Sequence, residues 1–424
     1  MNIWKSITQK NSLETIYDKS VFVALLLVIV TYPFSMSINS LTIILLAGAS
    51  IIKLIVERKI YLHKVYILFF LIFLIRLLSL FYTTNMHSGG RAIERSLSLL
   101  IFPLVFMVNK PILLNRTFLF KTLNIATLVA CLFCLLNNYY YFVTNNISVK
   151  WWLDWKYNNH HLSSYLDFGP NYFSLVIVIN LAGMYFYKYN SFRSKILWSI
   201  SYCIQFIFLL LLSSRSLILF FVLSTTIIFL YKMYNKYKIK GIIMTTVFLV
   251  FGTLVALSIP VVKQRFNKTY LELVSDNKAE TKVGGFVNRI QKVKSAIHIL
   301  KENYLLGVGI GDVKDELKKE YIKIDFQEGI NLSFDAHNQY LQSYLASGIL
   351  GFISYLLILL AIGYNFILDK KYFFLFIVCI YAYFSLFESL IETHKGIVLF
   401  SILLLLVLPF DNQKVLQIDW NKRK

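Results

Sequence analysis

Apolar runs long enough to cross a bilayer recur from one end of this 424-residue chain to the other, and they constrain its fold more than any motif does. Runs of about 18 to 23 apolar residues match a hydrocarbon layer of roughly 30 Å at 1.5 Å rise per residue, whereas barrel strands alternate over about ten. The expected fold class is therefore all-α, a polytopic membrane protein of about twelve transmembrane helices. The spans fall near 20–36, 38–56, 65–82, 92–109, 119–143, 169–187, 196–213, 215–231, 241–260, 338–364, 371–388 and 396–410. With 57% hydrophobic and 15% charged residues, the chain is no soluble globule.

The 43 Lys and Arg against 22 Asp and Glu give a formal net charge of +21, which in a soluble protein would suggest nucleic acid. Here the arrangement carries the information. Alternate connections hold Lys5, Lys10 and Lys19, then Lys53, Arg58, Lys59 and Lys64, then Lys110, Arg116 and Lys121, then Lys188, Arg193 and Lys195. The same set continues with Lys232, Lys236, Lys238 and Lys240, with Lys370 and Lys371, and with Lys414, Lys422, Arg423 and Lys424. Short connections of the other set hold only Arg91, Arg95, Lys150, Lys156, Arg215 and Lys395. The positive-inside rule then puts both termini in the cytoplasm and the long connection from Val261 to Ala336 outside. The expected division is 1–260 (nine helices), 261–337 (external loop) and 338–424 (three helices and a tail). No cleavable signal is evident, so the first apolar segment is expected to stay as an anchor. Cys131, Cys134, Cys203 and Cys379 lie inside apolar runs and read as small buried packing residues.

The long external connection is the obvious place for chemistry. In "GGFVNRIQKVKSAIHILKEN", Phe286, Ile290, Val293, Ile297 and Leu300 line one helical face, while Arg289, Lys292 and Ser295 share another. After "GVGIGD", whose glycines read as a tight turn, a second helix is expected with Asp312 as its N-cap and Asp315 in its first turn. A shorter outward stretch carries Trp151, Trp152, Trp155, Tyr157, His160 and His161. It reads either as an interfacial aromatic belt or as a stacking platform for sugar rings.

Arg215, in "LLLLSSRSLILFF", begins a helix on the side where short-loop cations are disfavoured, and there it opposes the macrodipole. Such an arginine suggests a bound anion. Arg289 is an ordinary solvated cation or, with Arg215, half of a bidentate phosphate clamp. His337 precedes a helix whose positive end favours the neutral ring, a proton acceptor that Asp335 or Asn338 would orient. Secondary candidates are Arg91 and Arg95, which Glu94 can pair locally, and Glu388 and Glu392, which Lys395 can pair. No clustered His/Cys set, acidic metal motif or phosphate-binding loop of the GxxxxGK[ST] type is present, so neither a metal nor another cofactor is expected.

"NRIQKVKSAIHILKENYLLGVGIGD", followed by "AHNQYLQSYLASGILGFISYLLIL" and preceded by "LLSSRSLILFF", resembles the signature of the O-antigen ligase and polymerase superfamily over roughly residues 205–365. The resemblance implies a metal-independent, inverting type C glycosyltransferase of the bacterial inner membrane, acting at the periplasmic face. Its donor would be an undecaprenyl-diphosphate-linked glycan and its acceptor a lipid A-core hydroxyl. Arg215 and Arg289 would engage the diphosphate and His337 would assist the attacking hydroxyl. A polymerase joining lipid-linked repeat units would use the same residues. A non-enzymatic polysaccharide or lipid transporter is the reading from a different class.

Overall fold

The computed structural model describes residues 15–109, 116–186, 192–258, 285–368, 372–408 and 415–419, with isolated positions between 260 and 267. Lys5, Lys10, Lys110, Lys188, Lys370, Lys371, Lys414, Lys422, Arg423, Lys424 and most of the stretch from 261 to 284 lie outside the described residues.

The described chain is helical almost throughout. In order it forms α1 (Ile16–Thr31), α2 (Met36–Glu57), α3 (Lys64–Leu78), α4 (Met86–Ser96), α5 (Ser98–Val108) and α6 (Arg116–Thr144). Then come α7 (His160–Ser164), α8 (Pro170–Phe186), α9 (Phe192–Leu212), α10 (Arg215–Tyr237) and α11 (Ile239–Ser258). The last helices are α12 (Gly285–Glu302), α13 (Val313–Lys323), α14 (Gln327–Leu332), α15 (Gln339–Leu368), α16 (Tyr372–Phe384) and α17 (His394–Val407). A helix lies on every expected span, and six described helices are long and apolar enough to cross a membrane: α2, α3 with its 3-10 extension to Tyr82, α6, α9, α10 and α15. The protein is a multi-pass, all-α membrane protein. The expected 92–109 span is broken into α4 and α5, because the amphipathic, glycine-bearing MHSGGRAIERS segment turns before the apolar SLLIFPLVFMV begins.

One element departs from the all-α expectation. β1 (Lys59–His63) pairs antiparallel with β2 (Val415–Asp419), Tyr61 opposite Gln417. Alternating side chains bury Tyr61 and His63 on one face, which a charge count along the connection does not reveal.

The chain forms two compact units, residues 1–123 with 287–424 and residues 124–286. In the first, α12 and α13 close over α4 and the start of α15 around a core of Ala92, Ala296, Ile299, Ile310, Leu317, Tyr321 and Leu345. The segment between α12 and α13 plugs into a break in α15 at Ser347 and Gly348. There Val308 N donates to Leu345 O (2.7 Å) and Ile349 N to Leu305 O (3.2 Å). Gly348 has φ +63°, and a Cβ on it would stand 1.9 Å from the Leu305 carbonyl oxygen. Gly307, at φ +72°, makes the reciprocal approach to Leu345.

Asp312 occupies the N-cap position of α13, yet its carboxylate does not cap that helix. It accepts instead from Thr84 N (2.7 Å), Thr84 Oγ1 (2.9 Å) and Asn85 N (2.7 Å), tying the glycine-rich turn to the end of α3. The cysteine expectation holds for Cys131 and Cys134, whereas Cys203 and Cys379 are exposed on their helices.

Candidate functional site

The α12–α14 cap ends at Ser333, and the next four residues carry the chemistry. Asp335 Oδ1 accepts from His337 N at 2.9 Å, a local turn that holds His337 at φ +43°, where few non-glycine residues sit. Asn338 then caps α15, its Oδ1 accepting from Leu341 N (3.0 Å), while its Nδ2 donates to Leu386 O (3.2 Å). Gln339 N donates to Ser385 O at 2.8 Å. The start of α15 is therefore fastened to the α16–α17 hairpin, which brings Glu388 beside the imidazole.

His337 Nδ1 lies 3.3 Å from Glu388 Oε2 and 3.7 Å from Asp335 Oδ1. The other Glu388 oxygen is 3.9 Å from Arg289 Nη2. Glu388 is buried, and the Arg289 side chain is 36% exposed. The arginine is thus a loosely paired fork with room to meet a ligand. Its guanidinium sits over the Phe387 ring at 5.3 Å, and Lys292 Nζ sits over the Phe334 ring at 3.4 Å. Phe334 also meets the His337 ring edge-on at 5.6 Å. Two Phe-carboxylate dipeptides, Phe334–Asp335 and Phe387–Glu388, each seat one cation of α12.

Several expectations change here. The apolar stripe of α12 does not face inward as a whole: Leu300 is buried, but Ile290 and Ile297 are 40% and 46% exposed. The buried face is Asn288, Lys292, Ser295, Ala296 and Ile299, because the small Ala296 and the stripe beside it fit the cap core. That face carries Lys292 into the site, together with Ser295, which the sequence placed on the face away from the apolar stripe. Glu388 engages His337 and Arg289, and the side chain facing the ring is Glu388 in place of Asn338. Glu392 pairs with Arg76 of α3, and Lys395 Nζ donates to Phe34 O. Arg91, Glu94 and Arg95 are exposed on α4, and among the described residues no ion pair joins them.

In the second unit, Arg215 is the first residue of α10 and is partly buried. Ser213, at φ +51°, and Ser214 reverse the chain between α9 and α10. Asn159 pins the turn, its backbone N–H donating to Leu211 O (3.3 Å) and its side chain to Leu212 O. Ser214 Oγ donates to Asn171 Oδ1 at 2.8 Å. The aromatic stretch between α6 and α8 packs on α6: Trp152 lies 5.3 Å from Phe142 and His161 4.7 Å from Tyr141. Trp151 is exposed, with Lys150 beside its ring, and Trp155 begins a 3-10 turn. His161 is partly buried and His160 is exposed. Burial pushes the His161 pKa below the ordinary imidazole value, against a backbone hydrogen bond at Tyr157.

Among the described residues, no three His, Cys, Asp or Glu side chains converge to hold a metal. What the first unit assembles is a buried carboxylate behind an imidazole, with a forked cation alongside. Residues 200–356 match the family model described as O-antigen ligase, a stretch that contains Arg215, Arg289 and His337 and stops short of Glu388. No curated protein matches the chain.

Proposed function

On the premise that residues 200–356 belong to the O-antigen ligase superfamily, we propose that this protein transfers a glycan from undecaprenyl diphosphate to a hydroxyl of a lipid A-core acceptor. The work is done at the periplasmic face of the inner membrane, with both termini cytoplasmic. The observation that carries this reading is the 3.3 Å approach of His337 Nδ1 to Glu388, beside Arg289. With Nδ1–H directed at the carboxylate, Nε2 keeps its lone pair and is a proton acceptor.

The acceptor oxygen attacks the anomeric carbon of the first sugar and its proton passes to His337 Nε2. The bond from that carbon to the phosphate oxygen breaks, and undecaprenyl diphosphate leaves with inversion. Glu388 holds the ring in register and offsets the charge that forms on it. Arg289 stabilises the negative charge growing on the leaving diphosphate, a task suited to a planar fork. The leaving group is already activated, so the reaction needs no nucleotide triphosphate.

Purified protein in liposomes, given lipid-linked glycan and lipid A-core, tests the reading. Glycan appearing on the core supports ligase activity. Lengthening of the carrier-bound chain instead would assign the same site to a polymerase. Neither product, with intact glycan crossing the bilayer, would favour a transporter.

A further inference from the structure

Lys292 is left unused by the transfer chemistry. It follows Arg289 by three residues on the same face of α12 and is only 5% exposed. Its ammonium rests on the Phe334 ring. Among the described residues, no carboxylate or hydrogen-bond acceptor lies within bonding distance of it. Asp335, Glu388 and Glu328 attract it from further away, and Arg289 opposes it. An ammonium has three donors, and here the acceptors of the described residues fill none of them, which leaves them to solvent or to a ligand. Lys53 shows how this fold treats a structural lysine: it is 1% exposed, with Nζ donating to Asp18 at 2.6 Å and Asn109 at 3.1 Å. Lys292 lacks such partners and lies beside a half-exposed arginine fork.

We propose that Lys292 is an anion-binding residue which, with Arg289, takes phosphate oxygens of a polyprenyl diphosphate; this rests on the transferase reading above. The division of labour suits the two side chains. Arg289 presents a fixed fork from its seat on Phe387, while the flexible lysine stem lets a point charge swing off Phe334 onto the ligand.

Binding then has a proton signature. In the free protein, burial holds the Lys292 ammonium down to about 8, with Arg289 adding to that effect and Asp335, Glu388 and Glu328 working against it. A bound diphosphate favours the charged form and raises the pKa. At pH 8 about half of the free lysine is neutral, so binding takes up about half a proton, and less at pH 7.

Isothermal titration of the full-length protein in detergent with farnesyl diphosphate, at pH 7 and 8 and in two buffers of different ionisation enthalpy, measures this. Wild type should bind with proton uptake that grows with pH. Lys292→Met should bind about 10- to 100-fold more weakly. Lys292→Arg should recover much of the affinity without the uptake, since a guanidinium stays charged throughout. Wild-type affinity and uptake in Lys292→Met would remove Lys292 from the site while leaving the diphosphate reading intact. If that variant fails to fold, uptake in Lys292→Arg equal to wild type overturns the proposal equally well. No binding by wild type would remove both.

Discussion

Two glutamates four residues apart in the α16–α17 hairpin meet opposite treatments. Glu392 is closed off: Arg76 grips it bidentately at 2.7 and 2.9 Å, and Arg76 Nε donates to Ser96 at 2.9 Å. Beside it, Gln339 Oε1 accepts from Ile391 N at 2.8 Å and Gln339 Nε2 donates to Ser343 Oγ at 2.8 Å. Glu388 is more deeply buried and faces an imidazole at 3.3 Å and a half-exposed arginine at 3.9 Å. A tight bidentate ion pair inside a bundle braces it, whereas a carboxylate facing a titratable ring is placed to orient that ring. The brace serves the site, since Gln339 joins the hairpin to the helix that His337 precedes.

Substitutions that separate brace from site sharpen this contrast. The largest effect is expected from His337→Ala, which removes the base and should lower transfer by about 100- to 10,000-fold with thermal unfolding unchanged. Arg76→Ala should do the reverse. It strands a largely buried carboxylate (12% exposed) and should destabilise the fold by about 3 kcal/mol in detergent unfolding, and the double change Arg76→Met with Glu392→Gln should recover much of that loss. Equal stability of Arg76→Ala and wild type would erase the distinction between the two pairs. Gly348→Ala drives a methyl group into the Leu305 carbonyl and imposes an unfavourable φ, so it should cost more than about 1 kcal/mol and loosen the cap, read as faster proteolysis between α12 and α13. Glu388→Gln keeps the shape and loses the charge; transfer should fall about 10- to 100-fold while the unfolding midpoint stays near wild type.

How much of this was legible in the sequence follows from the range of each interaction. The helices, including α12 and α13 of the long connection before α15, are local, and period and glycine punctuation carry them. Glu388 reaches His337 across 51 residues, and β1 finds β2 near the other end of the chain, pairings to which no period points. The inward face of α12 was misread for a different reason. Ile290 and Ile297 make the more hydrophobic stripe, but the cap core needed small and slender side chains, and the face supplying Ala296 and Ile299 brought Lys292 with it. Arg215 announced itself by breaking two rules of placement at once, while the amides that pin its turn, Asn159 and Asn171, left no sequence signal.

The most direct measurement is a single-turnover assay in which wild type and His337→Ala are each saturated with polyprenyl-diphosphate-linked glycan before acceptor is added. Wild type should move the glycan to the acceptor hydroxyl and release the carrier, while His337→Ala holds the loaded carrier and transfers almost none. Transfer by His337→Ala at the wild-type rate would contradict the assignment of the imidazole as proton acceptor.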